Sequence, residues 1–188
     1  MTRKIIDQVK KYVESECQKP TSKYGFEIFE FHFAVVVKYA QILAEKLKAD
    51  QEIVTIASWL HDIGSVLHGR KDHHITGAKI AAEKLRELNY PEDKTKLVAD
   101  CILHHRGSTE SERKTMEEKI VAEADAMTAF DSIGGLFKAA YIFENLHQAE
   151  AQKSVLKKLK NKYKRLHFAE SKRLIKPKYD AAMLLLGN

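Results

Sequence analysis

The residues best suited to chemistry in this 188-residue chain are a dipeptide, His61-Asp62, with an isolated His32 upstream and Asp125 downstream. The dipeptide closes an apolar run that begins at Ile53, so both side chains are expected at the buried end of a hydrophobic segment. Burying an imidazole and a carboxylate is costly unless something pairs with them. A metal ion suits a neutral imidazole and an ionised carboxylate together. The pattern therefore indicates a metal site.

The two outlying residues are placed by helical periodicity. His32 lies on the apolar stripe of a helix predicted for residues 27–48, so its side chain faces the core. A lone histidine there would also fit a core residue bonded to a backbone carbonyl. Asp125 falls on a small-residue face, where a buried carboxylate needs a cation or several donors, and pairing with an arginine or lysine is the alternative. Glu123 points about half a turn away.

Helical periodicity runs through almost the whole chain, and no strand-like alternation competes with it. The sequence therefore predicts an all-α fold of a single domain, residues 1–188. Asp50 is the predicted N-cap of the helix that leads to the dipeptide. Residues 64–72 read as a loop, and residues 107–114 as a polar, mobile one. Helices are predicted at 3–17, 27–48, 50–60, 76–88, 91–105, 116–132, 136–148, 153–174 and 178–186.

The ordered pattern of His32, His61-Asp62 and Asp125 resembles the HD superfamily of metal-dependent phosphohydrolases. The segment 123–134 is similar to that of a bacterial and archaeal subgroup of small predicted hydrolases. It matches at Ala124, Asp125, Ala129, Ile133 and Gly134 and departs at Glu123, Ala126, Thr128 and Asp131. The resemblance implies an HD-domain helical bundle with a core at about 20–145 and extra C-terminal helices at about 150–186. It also implies that His32, His61, Asp62 and Asp125 bind metal, with Asp62 catalytic.

Two histidine pairs, His73-His74 and His104-His105, extend the resemblance. In HD enzymes with two metals, histidines at these places complete the second site, and in one-metal members they contact phosphate or water. A solvated helix-end histidine is the alternative for each pair. The eleven residues from Asp62 to His73 are fewer than is usual for a second site in the family. We therefore expect one metal ion, with His73 and His104 lining the pocket.

A mixed nitrogen and oxygen shell suits Fe, Mn, Ni, Co or Zn as the divalent metal. Such an ion lowers the pKa of its water and polarises a P–O bond, and positive side chains would neutralise charge developing on phosphorus. The alternative is that the positive side chains near the histidine pairs are solvated surface residues with no role in binding. The candidate substrate-binding residues are Arg70, Lys71, Lys79 and Arg106.

Net charge is unevenly distributed. The chain carries +6 overall, but residues 153–178 hold eleven lysines or arginines and one acidic residue, Glu170. The remainder has 21 basic (32 − 11) and 25 acidic (26 − 1) residues, so it is mildly acidic. This basic amphipathic segment fits a solvated helix face, an electrostatic funnel for polyanionic substrates, or a nucleic-acid contact.

The residues favour hydrolysis of a phosphoester or phosphoanhydride in a small molecule, with a nucleotide as the preferred substrate. One alternative is an HD-fold di-iron oxygenase, and another is a non-enzymatic nucleotide- or nucleic-acid-binding protein that uses the basic C-terminal helix. The N-terminus lacks the apolar segment of a signal peptide, no stretch is long enough to span a bilayer, and two isolated cysteines form no disulfide framework. We therefore expect a cytoplasmic protein with no membrane partner.

Overall fold

The computed structural model describes residues 2–106 and 112–187, apart from the side chain of Thr2. Within these ranges the chain forms helices joined by turns and no strand, which confirms the predicted all-α fold. None of the described helices combines the length and apolar character that crossing a bilayer requires. Residues 107–111 of the predicted mobile loop lie outside the described residues.

The chain divides into two compact units, Met1–Ala124 and Asp125–Asn188. The division falls inside the predicted 20–145 core, and the expected single domain stays a prediction. Helix α7, Met116–Thr128, begins in the first unit and ends in the second. The other helices of the first unit are α1 (Thr2–Gln18), a π-helical turn (Phe29–Phe33), α2 (Ala34–Leu47), α3 (Gln51–Leu60), α4 (Ile63–His68), α5 (His73–Glu87) and α6 (Glu92–His104).

Helix α3 lies at the centre of the first unit. Every residue from Ile53 to Leu60 is buried, and α1, α2 and α6 all pack against this helix. Its start is fixed as predicted, because Asp50 Oδ1 accepts hydrogen bonds from the backbone N–H of Glu52 (2.9 Å) and of Ile53 (3.1 Å). A helix buried on all sides holds its C-terminal residues rigidly, and those residues lead directly into His61-Asp62.

The loop predicted for residues 64–72 is partly wrong, because residues 63–68 form the short helix α4. Helix α4 packs tightly on α5 through glycine. A Cβ added at Gly64 would lie 2.6 Å from Thr76 Oγ1 and 2.7 Å from Gly77 N, and closer still to the carbonyl oxygen of His73. Only a residue without a side chain permits this approach. The contact brings the start of α5 beside the end of α3.

The second unit contains α8 (Ile133–Ile142), α9 (Gln148–Lys164) and α10 (Ala169–Leu186), and α9 packs against both of the others. Several predicted boundaries here are wrong, and the separate helix predicted for 178–186 is the end of α10. The helix predicted for 136–148 ends at Ile142, and Asn145 then adopts a left-handed backbone conformation (φ 52°) that a helix cannot contain. The helix predicted for 153–174 is split by a turn near Leu166, and α10 carries Pro177 in its interior.

We predict that Gly64→Ala lowers the thermal stability of the protein. The added methyl would overlap the backbone of α5, and overpacking of this kind typically costs ~1–3 kcal/mol, which shifts the melting temperature by roughly 2–12 °C in a chain of this size. Gly134→Ala is the matched control, because a Cβ at that position meets nothing within 4 Å. Thermal melts followed by circular dichroism measure both. Equal melting temperatures for the two variants would contradict the close approach of α4 and α5.

Candidate metal centre

His61 and Asp62 occupy the junction between α3 and α4. The His61 side chain is completely buried, and its Nδ1 donates to the backbone carbonyl of Ser58, one helical turn earlier, at 2.8 Å. A carbonyl oxygen only accepts, so the ring hydrogen lies on Nδ1 and, in the neutral ring, the lone pair lies on Nε2. The dipeptide therefore presents a metal-ligating nitrogen and a carboxylate on neighbouring residues.

His32 approaches this pair from the π-helical turn that precedes α2. Its Nε2 lies 3.0 Å from His61 Nε2 and 3.3 Å from Asp62 Oδ2. The buried residues Phe29 and Phe33 hold the turn in the core, and Phe33 packs edge-on against both imidazoles. A π-turn inserts a wider loop of backbone into a helix and commonly marks functional sites. The predicted His32 thus joins His61 and Asp62 in one cluster.

A second set of donors faces the other oxygen of the same carboxylate. His73 Nε2 lies 3.2 Å and His105 Nε2 3.6 Å from Asp62 Oδ1, and the two nitrogens are 3.3 Å apart. His73, at the first turn of α5, donates from Nδ1 to the carbonyl of Arg70 at 2.9 Å. His105, just after α6, donates from Nδ1 to the carbonyl of Ile102 at 2.6 Å. Asp62, His73 and His105 form a second cluster with metal-ligand geometry.

The tautomers of these rings indicate what the cluster can bind. Because His73 and His105 both carry their hydrogen on Nδ1, no neutral form lets one Nε2 donate to the other across 3.3 Å. Two lone pairs facing each other at this distance repel, so the arrangement needs a proton or a cation between them. Backbone carbonyls that fix Nδ1–H are the usual second-shell partners of metal-bound histidine. The residues present therefore fit a divalent metal.

The imidazoles also set the charge of Asp62. Burial raises the pKa of Asp62, but the positive charge that His61 and His32 carry when protonated, together with hydrogen bonds from protonated His105 and His32, outweighs that effect and holds the pKa well below its usual range. The carboxylate is therefore ionised at neutral pH, which is the form that ligates a cation.

The remaining members of the two histidine pairs point elsewhere. His104 does not join His73 at Asp62, and its expected place in the lining of the pocket stays a prediction. Its Nδ1 lies 3.0 Å from Oε2 of Glu118, a buried carboxylate. His105 lies beside Asp62 instead, because it is one residue further round the end of α6. His74 packs edge-on against His73 with its ring 5.8 Å away, and burial followed by the charge of Arg106 lowers its pKa.

Asp125, the fourth predicted ligand, is the first residue of the second unit. Its Oδ2 lies 3.7 Å from Lys162 Nζ, and the Asp125 side chain is 23% exposed. Asp125 is thus half-buried rather than buried as expected, whereas Glu123, two residues earlier, is only 5% exposed. The ligand role of Asp125 stays a prediction.

Two of the four predicted substrate-binding cations, Arg70 and Arg106, interact electrostatically with residues near the cluster. Arg106 acts on His74, and Arg70 acts on Tyr24, a half-buried residue that sequence reasoning missed. Burial, followed by the charge of Asp62, raises the pKa of Tyr24, while Arg70 and a hydrogen bond with Ser65 lower it. Tyr24 therefore lies near the carboxylate of the cluster. The two predicted lysines, Lys71 and Lys79, are exposed.

Comparison with known proteins agrees with this geometry. The protein-family model of the HD domain matches residues 30–129, more than half of the chain. This chain belongs to the HD domain family. The expected membership of the HD superfamily of hydrolases is thereby confirmed, and the matched range lies inside the predicted 20–145 core.

Two curated relatives share sequence with this HD protein. One is a tRNA (cytidine(56)-2'-O)-methyltransferase of Picrophilus torridus, 31% identical over 134 residues, or 63% of this chain and 37% of the relative. The other is ribonuclease Y of Enterococcus faecalis, 32% identical over 108 residues, or 57% of this chain and 19% of the relative. The chain thus spans well under half of the length of either relative.

Solved structures share the fold across nearly the whole HD protein. An HD-superfamily hydrolase of Bacillus thuringiensis aligns with a TM-score of 0.77 at 17% identity, covering 100% of this chain and 95% of that one. YpgQ of Bacillus subtilis in complex with ADP aligns with a TM-score of 0.73 at 20% identity, covering 98% and 93%. At such low identity these structures establish the fold, including the C-terminal helices.

One residue outside the cluster holds the end of α6 in this HD domain. Arg113 Nε donates to the carbonyl of His104 at 2.9 Å, and Nη2 reaches the carbonyls of His105 (3.4 Å) and Arg106 (3.3 Å). The last carbonyls of a helix have no partner within the helix, and a cation is the favoured partner there. Arg113 therefore fixes the backbone that carries His105. No motif in the sequence indicated this role.

We predict that Arg113→Ala destabilises the protein by about 1.5–3 kcal/mol, the usual contribution of hydrogen bonds that involve a charged group. Arg86→Ala is the matched control. Arg86 makes a bidentate pair with Glu92 at 2.9 and 2.6 Å, but the pair is exposed and screened by solvent, so its loss should destabilise the protein less than the loss of Arg113. Urea denaturation measures both changes. A larger loss from the Arg86 substitution would show that Arg113 does not anchor α6.

Proposed function

We propose that this HD protein is a phosphohydrolase that holds two divalent transition-metal ions and acts on a phosphoester or phosphoanhydride of a small molecule, with a nucleotide as the preferred class. The observation that carries the proposal is the position of Asp62. Its two carboxylate oxygens face different pairs of imidazoles, His32 with His61 and His73 with His105.

The donor sets support one ion on each side of the shared carboxylate. His32, His61 and Asp62 offer two nitrogens and an oxygen on one side, and Asp62, His73 and His105 offer the same set on the other. Asp125, which we continue to propose as a ligand, would add a fourth protein donor. The mixed set suits Fe, Mn, Ni, Co or Zn. The one-ion expectation rested on the short span from Asp62 to His73, and the close contact at Gly64 shows how a short span still reaches the carboxylate.

The chain's own residues would orient the reaction. When bound, such ions supply an activated water and a Lewis acid for the phosphoryl oxygen. The hydrogen bonds from Nδ1 of His61, His73 and His105 to backbone carbonyls hold the rings in a single orientation. Arg70, whose carbonyl holds the His73 ring, and Arg106, which follows His105 in the chain, would neutralise charge on the phosphoryl group, and the Tyr24 hydroxyl, which is influenced by the charge of Asp62, is a further candidate donor.

A nucleotide is favoured as substrate because the structurally similar YpgQ has been solved with ADP. The relatives named as a tRNA methyltransferase and as ribonuclease Y widen the candidate class to RNA phosphodiesters. In either class the bond to be cleaved joins phosphorus to oxygen, so the same cluster would serve. The di-iron oxygenase alternative uses the same two donor sets, and the redox behaviour of the bound metal separates it from hydrolysis.

We predict about two equivalents of metal per chain in purified protein, by elemental mass spectrometry. Asp62→Ala should lose both, because both donor sets share that carboxylate. His73→Ala and His105→Ala should each retain about one equivalent. His68→Ala is the matched control, since His68 is exposed at the end of α4. One equivalent in the wild type, unchanged in His73→Ala, would favour the one-ion site.

We predict metal-dependent release of phosphate or of a nucleoside monophosphate from at least one member of a panel of nucleotides and short RNAs. Asp62→Ala should abolish it, with a loss of at least about 1,000-fold, while His68→Ala retains it. The products are separated by chromatography, with oxygen consumption recorded in parallel. Full activity in Asp62→Ala would place the chemistry elsewhere, and substrate-dependent oxygen uptake without phosphate release would favour the oxygenase.

A further inference from the structure

The exposed face of α9 carries a row of four lysines that nothing described so far uses. They follow one another at steps of four, three and four residues, so they lie on one face of the helix. All four are exposed, and the apolar residues Ala151, Val155 and Leu159 occupy the opposite, buried face. We call this row the lysine stripe: Lys153, Lys157, Lys160 and Lys164.

The lysine stripe differs from the other lysines of the same helix in its partners. Lys158 pairs with Glu144, and Lys162 lies 3.7 Å from Asp125, so both are balanced by carboxylates of the second unit. Among the described residues, no carboxylate pairs with a member of the stripe. The nearby acidic residue of the first turn, Glu150, instead accepts a hydrogen bond from the backbone N–H of His147 at 3.2 Å. The stripe is therefore a line of uncompensated positive charge.

Such a line does nothing for the fold. Like charges three and four residues apart on a helix repel each other, and exposed side chains contribute no packing. Over eleven residues at a rise of 1.5 Å the stripe extends about 16 Å. One strand of a nucleic acid carries a phosphate every 3.4 Å along the axis of a duplex, so the stripe would face about five phosphates. The number and spacing of charges on the two sides are thus comparable.

We propose that the lysine stripe binds the phosphodiester backbone of a nucleic acid. Two other anionic partners fit less well. A helix that lies in a membrane surface needs a free apolar face, and the apolar face of α9 is buried against its own unit. An acidic peptide offers no rigid row of charges to match a straight stripe, whereas backbone phosphates recur at a fixed spacing. Lysine contacts to phosphate position a nucleic acid without reading its sequence.

The stripe lies entirely on the second unit, and the proposal does not depend on the proposed hydrolase activity. It predicts binding that is insensitive to base sequence and strongly sensitive to salt. Each phosphate contact to a DNA duplex contributes about 0.9 to the slope of log affinity against log salt, so four contacts contribute about 3.6.

The test uses the full chain and a fluorescent DNA duplex of about 20 base pairs, with anisotropy measured over a range of salt. A variant carrying Lys153→Gln, Lys157→Gln, Lys160→Gln and Lys164→Gln should bind at least about tenfold more weakly at low salt, with the slope reduced by about 3.6. The matched control removes four exposed lysines of the first unit: Lys4→Gln, Lys11→Gln, Lys46→Gln and Lys96→Gln. Its slope should stay at the wild-type value.

Further arms of the test separate the possible sources of the phosphates and the other occupants. Tighter binding of RNA, of single-stranded DNA or of duplex DNA identifies the source of the phosphodiester backbone. The proposal is overturned if the wild type shows no salt-dependent binding, or if the control loses as much affinity as the stripe variant. It is also overturned if phosphatidylserine vesicles or poly-glutamate bind as tightly as the nucleic acids. Melting curves check that both variants fold, and nucleotide hydrolysis should be equal in the two.

Discussion

The close approach of α4 and α5 is the constraint on which the rest of the metal centre depends. At Gly64 the backbones of the two helices meet with no room for a side chain. That contact turns the chain back within a few residues of Asp62 and delivers His73 to within 3.2 Å of the carboxylate. A longer connection would cost more conformational entropy to close and would leave the first turn of α5 less firmly placed. The absence of a side chain at Gly64 is therefore as important for the geometry of the site as the ligands themselves.

Three of the four rings in the cluster are held by local hydrogen bonds, which explains how rings from separate segments keep their orientation. His61, His73 and His105 each donate to the carbonyl of the residue three positions earlier, so each ring is held by its own segment of backbone. Helix packing then has to supply only the distances between segments. Arg113 performs a similar task for the backbone itself, since it binds the carbonyls of His104 and His105 and so fixes the segment that carries the His105 ring.

The sequence predicted the chemistry of the cluster better than its exact membership. His32, His61 and Asp62 could be placed together because helical periodicity points them into one core, and because buried polar groups need a common partner. The choice of His105 over His104 could not be made, since adjacent residues at a helix end differ by about 100° and the end of α6 is set by tertiary contacts. The short helix α4 was missed because six residues carry too little periodicity to be recognised. The turns that end α8 and α9 depend on left-handed or irregular backbone at residues such as Asn145, which has no strong local signal.

The donor arrangement also bears on how the fold is stabilised. His73 and His105 are brought to 3.3 Å with both lone pairs facing inward, so folding of the bare chain must overcome their repulsion or recruit a proton. A bound cation reverses the sign of that interaction, and it has no comparable site in the unfolded chain. Any such binding energy therefore adds directly to the free energy of folding. The burial of α3 and the contact of α4 with α5 therefore supply the folding free energy that holds the mutually repelling donors together. The cluster itself would stabilise the fold only when a cation is bound.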